Sequence, residues 1–148
     1  MAKFLHFGYG SNMLLKKLQN DGCEDEHRRC PTAEKKSNCQ IKKHRLRFWK
    51  KSRDGSGKCY IEYTGNDEDV VYGVLFSIDE IDHGYLNKEE GATSQNSGYK
   101  EEKVNVITVD GEVQAFTYTI NGEDKIDKNR KPYHWYKEQV VQGAREHG

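Results

Sequence analysis

The 148-residue chain has only 2 prolines, 2 methionines and 4 cysteines, and its 24 Lys+Arg are balanced by 24 Asp+Glu to a formal net charge of zero. These shortages exclude several classes of protein. No proline-, glycine- or serine-rich linker divides the chain, no segment is of low complexity, and no internal repeat is present. No apolar stretch approaches the roughly 20 residues that a membrane-spanning helix requires. The opening MAKFLHFGYG lacks the long apolar centre of a secretion signal. A cytoplasmic protein with no membrane association is therefore expected. Cys23, Cys30, Cys39 and Cys59 are loosely spaced and read as reduced thiols rather than a disulfide framework. A zinc site from Cys23, His27, Cys30 and Cys39 is conceivable on paper but lacks a C-x-x-C knuckle, so no metal and no cofactor are expected.

What is present argues for a folded domain. Hydrophobic residues make up 34% and charged residues 32%, and the mean hydropathy is -1.03. Those values alone would suggest disorder, but 9 Tyr, 5 Phe and 2 Trp fall among alternating runs. A chain of this length buries roughly 70% of its unfolded surface, enough for a core and a pocket in one domain spanning 1–148.

Local patterns divide the chain further. Lys3 to Gly8 alternates as a strand, and Ser11 or Asn12 then stands where a helix N-cap belongs, ahead of Met13, Leu14, Leu15 and Leu18. Asp21 to Asn38 is polar and aperiodic and reads as connecting structure. Gln40 to Trp49 and Cys59 to Tyr63 flank the turn Asp54-Gly55-Ser56-Gly57 and read as a hairpin. Val70 to Ile78, the most apolar run, predicts a buried central strand. Asp79 to Glu90 predicts a short helix capped by Asp79 and ended by Gly91. Val104 to Tyr118 predicts a second hairpin turning at Asp110-Gly111, and Tyr133 to His147 a final helix. Many short strands with few helices predict an α+β domain on a small bent mixed sheet or partly closed β-barrel.

Two places could carry chemistry. In Phe7-Gly8-Tyr9-Gly10-Ser11-Asn12, two glycines let backbone approach a ligand, and amides at a helix start could hold a carboxylate or an oxyanion; the plain alternative is a capped tight turn. In Glu89-Glu90-Gly91, a carboxylate at a helix end gains nothing from the helix dipole and, if shielded, becomes a general base; the plain alternative is a solvated acidic end.

Taken in order, Tyr9-Gly10-Ser11-Asn12, Tyr72-Gly73-Val74-Leu75-Phe76, Glu90-Gly91, Tyr99 and Gly143-Ala144-Arg145-Glu146-His147-Gly148 resemble the gamma-glutamylcyclotransferase (AIG2-like) family over nearly the whole chain. The resemblance implies a metal-free enzyme of lyase or acyltransferase type. In that reaction the α-amino group of a γ-glutamyl amino acid or peptide, glutathione among them, attacks its own γ-carbonyl, releasing 5-oxoproline and the attached amine. It implies Glu90 as general acid and base, with Glu89 as its natural control. It also implies a substrate site from Phe7, Gly8, Tyr9, Gly10, Ser11 and Asn12 with Tyr99, Tyr118 and Tyr136 around it. The Tyr-Gly-Ser-Asn turn leans toward γ-glutamyl amino acids over γ-glutamyl amines. Two departures stand out: the polar stretch Ala92 to Gly98 before Tyr99 is long, a possible lid, and relatives continue past Gly148 with Leu-Pro, which bears on substrate range. A homodimer stays open.

One feature points to a different class. Lys35 to Lys58 holds ten Lys+Arg against Asp54 alone, a net +9, while the remainder carries 14 bases and 23 acids, a net −9. With Phe48 and Trp49 inside it, the segment is an alternative nucleic-acid strip; a solvated hairpin face or a funnel for an anionic ligand is the favoured reading.

Overall fold

The computed structural model describes residues 2–10, 33–52, 55–84 and 98–146, with residues 135, 136, 139, 143 and 146 of the last helix described by backbone alone. Seven strands are present: β1 (Lys3–Gly8), β2 (Glu34–Lys42), β3 (His44–Lys51), β4 (Gly57–Tyr63), β5 (Val70–Asp79), β6 (Tyr99–Thr108) and β7 (Gly111–Ile120). One helix, α1 (His134–Glu146), and two 3₁₀ turns, Glu80–Asp82 and Glu123–Lys125, complete the described elements.

Strands β1-β5-β2-β6-β7 close into a barrel in that order, while β3 and β4 form a separate two-stranded sheet. Of the two expected forms, a bent mixed sheet or a partly closed barrel, the structure shows the barrel, fully closed. Its closure is a parallel contact of β1 with β7 at His6 and Phe116. β5 lies between β1 and β2, pairing with both antiparallel. That position explains its composition: a strand covered on both faces reads as a continuous apolar run, and Val74 through Ile78 are all buried. Phe7, Phe76 and Ile78 are fully buried, each such side chain contributing about 1.5–3 kcal/mol of hydrophobic stabilisation. α1 joins this core through Val140.

Several expectations are corrected by the structure. Glu34 to Asn38 is not connecting structure but the first half of β2. Its polar side chains are tolerated because the backbone is satisfied by the ladder to β5, with an irregularity between Lys35 and Ser37. Gln40 to Trp49 is not one strand. Lys43 takes a left-handed φ of 66°, and this corner passes the chain from the barrel into the β3–β4 hairpin. The corner is held by Lys43 N–H donating to the Asp69 carbonyl (2.7 Å) and Thr64 N–H donating to the Lys43 carbonyl (2.7 Å). Asp79 makes no side-chain capping bond; its carboxylate instead lies 3.5 Å from Lys3 Nζ. The predicted helix after it begins as the Glu80–Asp82 turn, and its continuation from residue 85 lies outside the described residues. So does the helix expected after Asn12. The second hairpin forms about the expected turn, with Gly111 at φ 118° where the turn needs it, but its strands run longer than expected, from Tyr99 to Ile120.

β2 and β6 touch at one bridge pair, Gln40 and Ile107. Shallow clefts of about 260 and 300 Å³ flank that seam, and neither is lined by a residue of the expected substrate site.

Candidate functional site

The end of β1 is fastened to β7 by two hydrogen bonds running in opposite directions. Thr117 Oγ1 donates to the Phe7 carbonyl (2.9 Å), and Tyr9 Oη donates to the Tyr118 carbonyl (2.5 Å). Phe7 and Tyr9 are buried with ring centroids 5.8 Å apart, so the turn they bracket leaves the barrel from a fixed point. On the other side stands Gly73 of β5. A Cβ there would lie 2.4 Å from the Gly8 carbonyl oxygen and 2.5 Å from the Phe7 ring, so this close backbone approach requires glycine.

Tyr118 and Tyr99 belong to the β6–β7 ladder. Tyr99 stands opposite Ile120 and Tyr118 opposite Glu101, which sets the two tyrosines diagonally on one face. The Tyr99 hydroxyl donates to the Cys59 carbonyl of β4 (2.6 Å), and Lys50 Nζ lies 4.6 Å from the Tyr99 ring centroid. The structure therefore brings together Phe7, Gly8, Tyr9, Gly10 and Tyr118, with Tyr99 one rung away. Tyr136 falls in α1, described by backbone alone. Ser11, Asn12, Glu89 and Glu90 lie outside the described residues.

Sequence reasoning missed His6. It is fully buried, with its ring 5.8 Å from Tyr118 and 6.4 Å from Phe76, and its ring nitrogens find at most a weak partner in the Phe116 backbone. Burial pushes its pKa down to about 4; nearby His83 reinforces the shift and the Phe116 backbone opposes it. His6 is therefore neutral at physiological pH. The signal was available, since His6 alternates with buried Phe4 along β1, but polarity hid it.

No group of three or more His, Cys, Asp or Glu among the described residues could hold a metal ion. Of the conceived zinc ligands only Cys39 is described. It is buried, and burial pushes its thiol up to about 12, which disfavours the thiolate a metal needs. The basic hairpin is partly neutralised by acids around it: Lys43 lies 3.7 Å from Asp67, Arg45 3.9 Å from Asp69 and Arg47 3.5 Å from Glu62. Arg47 and Lys128 both lie over the Trp49 ring, at 4.6 and 5.5 Å from its centroid. No described helix is long and apolar enough to cross a membrane.

A closed five-stranded barrel with this appended hairpin is the fold of the gamma-glutamyl cyclotransferase class. A solved structure named gamma-glutamyl cyclotransferase superposes with a TM-score of 0.81 over 99% of this chain and 81% of that chain, at 24% identity. An uncharacterized protein from Homo sapiens gives 0.79 over 100% and 82%, also at 24% identity. A gamma-glutamyl cyclotransferase specific to glutathione from yeast gives 0.65 over 99% and 88%, at 13% identity. The sequence pattern of the AIG2-like family matches residues 70–148, more than half of the chain, and the chain belongs to that family. No curated protein matches it.

Proposed function

We propose that this chain is a gamma-glutamyl cyclotransferase that converts a γ-glutamyl amino acid or peptide into 5-oxoproline and a free amine. The observation that carries the reading is the Phe7–Gly10 turn, bolted to β7 by Thr117 and Tyr9 and closely approached by Gly73, in the same barrel as a protein named for that activity.

The chemistry asks little beyond placement and one proton carrier. An ammonium cannot attack a carbonyl, so the Glu90 carboxylate takes its proton as the freed amine forms a bond to the γ-carbonyl carbon. The tetrahedral centre then collapses: Glu90 returns the proton to the leaving nitrogen as its bond to carbon breaks, and the second proton given up by the ring nitrogen passes through the same carboxylate, so that the lactam is neutral and the amine departs as an ammonium. Ring closure to five members is intramolecular, so holding the substrate folded supplies much of the acceleration. Amides of the Tyr9-Gly10-Ser11 backbone would receive the α-carboxylate or the developing oxyanion. Tyr99, Tyr118 and Tyr136 would supply polar tips and water-excluding rings around the substrate.

The test is 5-oxoproline release from γ-glutamyl amino acids, γ-glutamyl amines and glutathione. Glu90→Gln should lower the rate by about a hundredfold or more while folding normally, and Glu89→Gln should leave it nearly intact. A wild type that releases no product from any of them removes the reading.

A further inference from the structure

Lys50 stands near the end of β3, and its backbone is held on both edges. It pairs with Lys58 of β4 and bridges Ile126 of the segment that follows β7, where the Asp127 N–H donates to the Trp49 carbonyl (2.8 Å). The β3–β4 ladder is irregular between Arg47 and Lys50, and an irregularity of this kind re-aims side chains. Arg47 lies over Trp49 of its own strand, whereas Lys50 Nζ reaches Tyr99 of the barrel, 4.6 Å from the ring centroid. Tyr99 is fixed in turn, since its hydroxyl donates to the Cys59 carbonyl (2.6 Å). Gly98 makes the room: its carbonyl accepts from the Asn121 N–H (3.0 Å), and a Cβ on it would stand 2.6 Å from Lys50 Cε and 2.8 Å from Lys50 Nζ.

The candidate substrate site adjoins this cation. The Tyr9 turn is bonded to the Tyr118 carbonyl of β7, and Tyr99 stands opposite Ile120, diagonal to Tyr118 across the β6–β7 ladder. β7 therefore lies between the turn at the end of β1 and Tyr99 on β6. Two strand spacings are about 10 Å, a span crossed by about three extended residues. A γ-glutamyl compound whose glutamyl end is received at the turn has its other end within reach of Tyr99 and of the ammonium upon it.

We infer that Lys50 is a specificity-determining residue whose ammonium receives a carboxylate on the leaving amine, so that the chain prefers γ-glutamyl amino acids and peptides to γ-glutamyl amines. The inference rests on the reading of the Tyr9 turn and Tyr99 as the substrate site, and adds to it the group that tells one class of leaving amine from the other. An ammonium only donates and a carboxylate only accepts, and hydrogen bonds between ionised groups are about twice as strong as neutral ones. Lys50 Nζ directs one of its three donors to the Lys51 carbonyl (3.1 Å), which together with the Tyr99 ring fixes where the charge stands. The ring also covers one side of the ammonium, and a partly desolvated charge pairs more strongly than an exposed one. The net +9 of Lys35 to Lys58 attracts any anionic γ-glutamyl compound, whereas the contact at Lys50 distinguishes a single carboxylate.

The experiment compares kcat/KM for 5-oxoproline release from γ-glutamyl-alanine and γ-glutamyl-ethylamide, which differ in that one carboxylate, in wild type, Lys50→Met, Lys50→Gln and Lys51→Met, with a thermal melt of each. Wild type should favour γ-glutamyl-alanine. Removing the charge in Lys50→Met or Lys50→Gln should lower kcat/KM for γ-glutamyl-alanine roughly tenfold or more, the size of one lost hydrogen bond to a charged group, and leave kcat/KM for γ-glutamyl-ethylamide within about twofold. Lys51→Met, at the exposed neighbour, should keep the wild-type ratio. Each variant is read as the ratio of its own two values, so a loss of stability, which lowers both alike, does not imitate the effect. If wild type acts on γ-glutamyl compounds without favouring the carboxylate-bearing member of the pair, or if the wild-type ratio survives in either folded Lys50 variant, the assignment of Lys50 is overturned while the cyclotransferase reading stands. If wild type releases 5-oxoproline from no γ-glutamyl compound, both fall together.

Discussion

Two neighbouring histidines have pKa values shifted in opposite directions, and each shift has its cause in the immediate surroundings. His6 is driven down to about 4 by burial, against the weak opposing pull of the Phe116 backbone; His83, with a carboxylate at each nitrogen, is driven up. The stability consequences have opposite signs. Unfolded chains bind a proton at His6 near the ordinary imidazole value of 6.5 while the folded protein resists until about 4. Stability is thus unaffected by His6 above 6.5 and falls as pH drops between those values, by up to about 3 kcal/mol. For His83 the gain is complete below its unfolded pKa and is lost as pH rises through the raised folded pKa. Urea unfolding of His6→Phe should show most of the acid-side loss removed and the alkaline-side loss unchanged. If His6→Phe is as acid-sensitive as wild type, the buried neutral imidazole is not the cause.

At the scale of elements, the seam between β1 and β5 governs the candidate site. Gly8 pairs with Val74 and Phe7 with Leu75, and Gly73 allows the Gly8 carbonyl to come where a side chain would stand. Gly73→Ala forces a backbone carbonyl rather than a flexible side chain to move. The expected cost is about 1–3 kcal/mol from overpacking, with loss of 5-oxoproline release beyond what the lower melting temperature explains, because the Tyr9 turn is displaced. A Gly73→Ala protein with the wild-type melt and rate would contradict the requirement for close approach. The β3–β4 hairpin shows the same dependence on neighbours. Its charge was legible in the row of Lys and Arg, but the acids answering it at Asp67 and Asp69 come from the following loop and reach it only because of the left-handed corner at Lys43.

For the whole molecule, a neutral total conceals a net +9 segment set against a net −9 remainder. Folding brings part of the remainder onto the segment, through Asp67, Asp69 and Glu62, and engages Trp49 with Arg47 and Lys128. The cations and stacking ring that a nucleic acid would use are thereby partly committed within the protein. Fluorescence anisotropy with a labelled single-stranded oligonucleotide at physiological salt should show no binding tighter than the non-specific range of about 10⁻⁴–10⁻⁶ M. Tighter binding with a steep salt slope would restore the nucleic-acid reading.

Short-range pattern was enough for the strands β1, β4, β5, β6 and β7, the Asp110-Gly111 turn and the final helix, because alternation, turn chemistry and helical period are properties of neighbouring residues. The turn at Tyr9-Gly10 was equally visible. Tertiary structure alone decided the strand order, the parallel closure of β1 on β7 and the strand character of polar Glu34 to Asn38, which a ladder partner makes extended. It also decided that the hydroxyls of Tyr9 and Thr117 fasten the turn, and that the pKa of one histidine is driven down while that of another is driven up. These depend on residues far apart in sequence: pairing register, burial and charge neighbours arise only when the chain closes on itself.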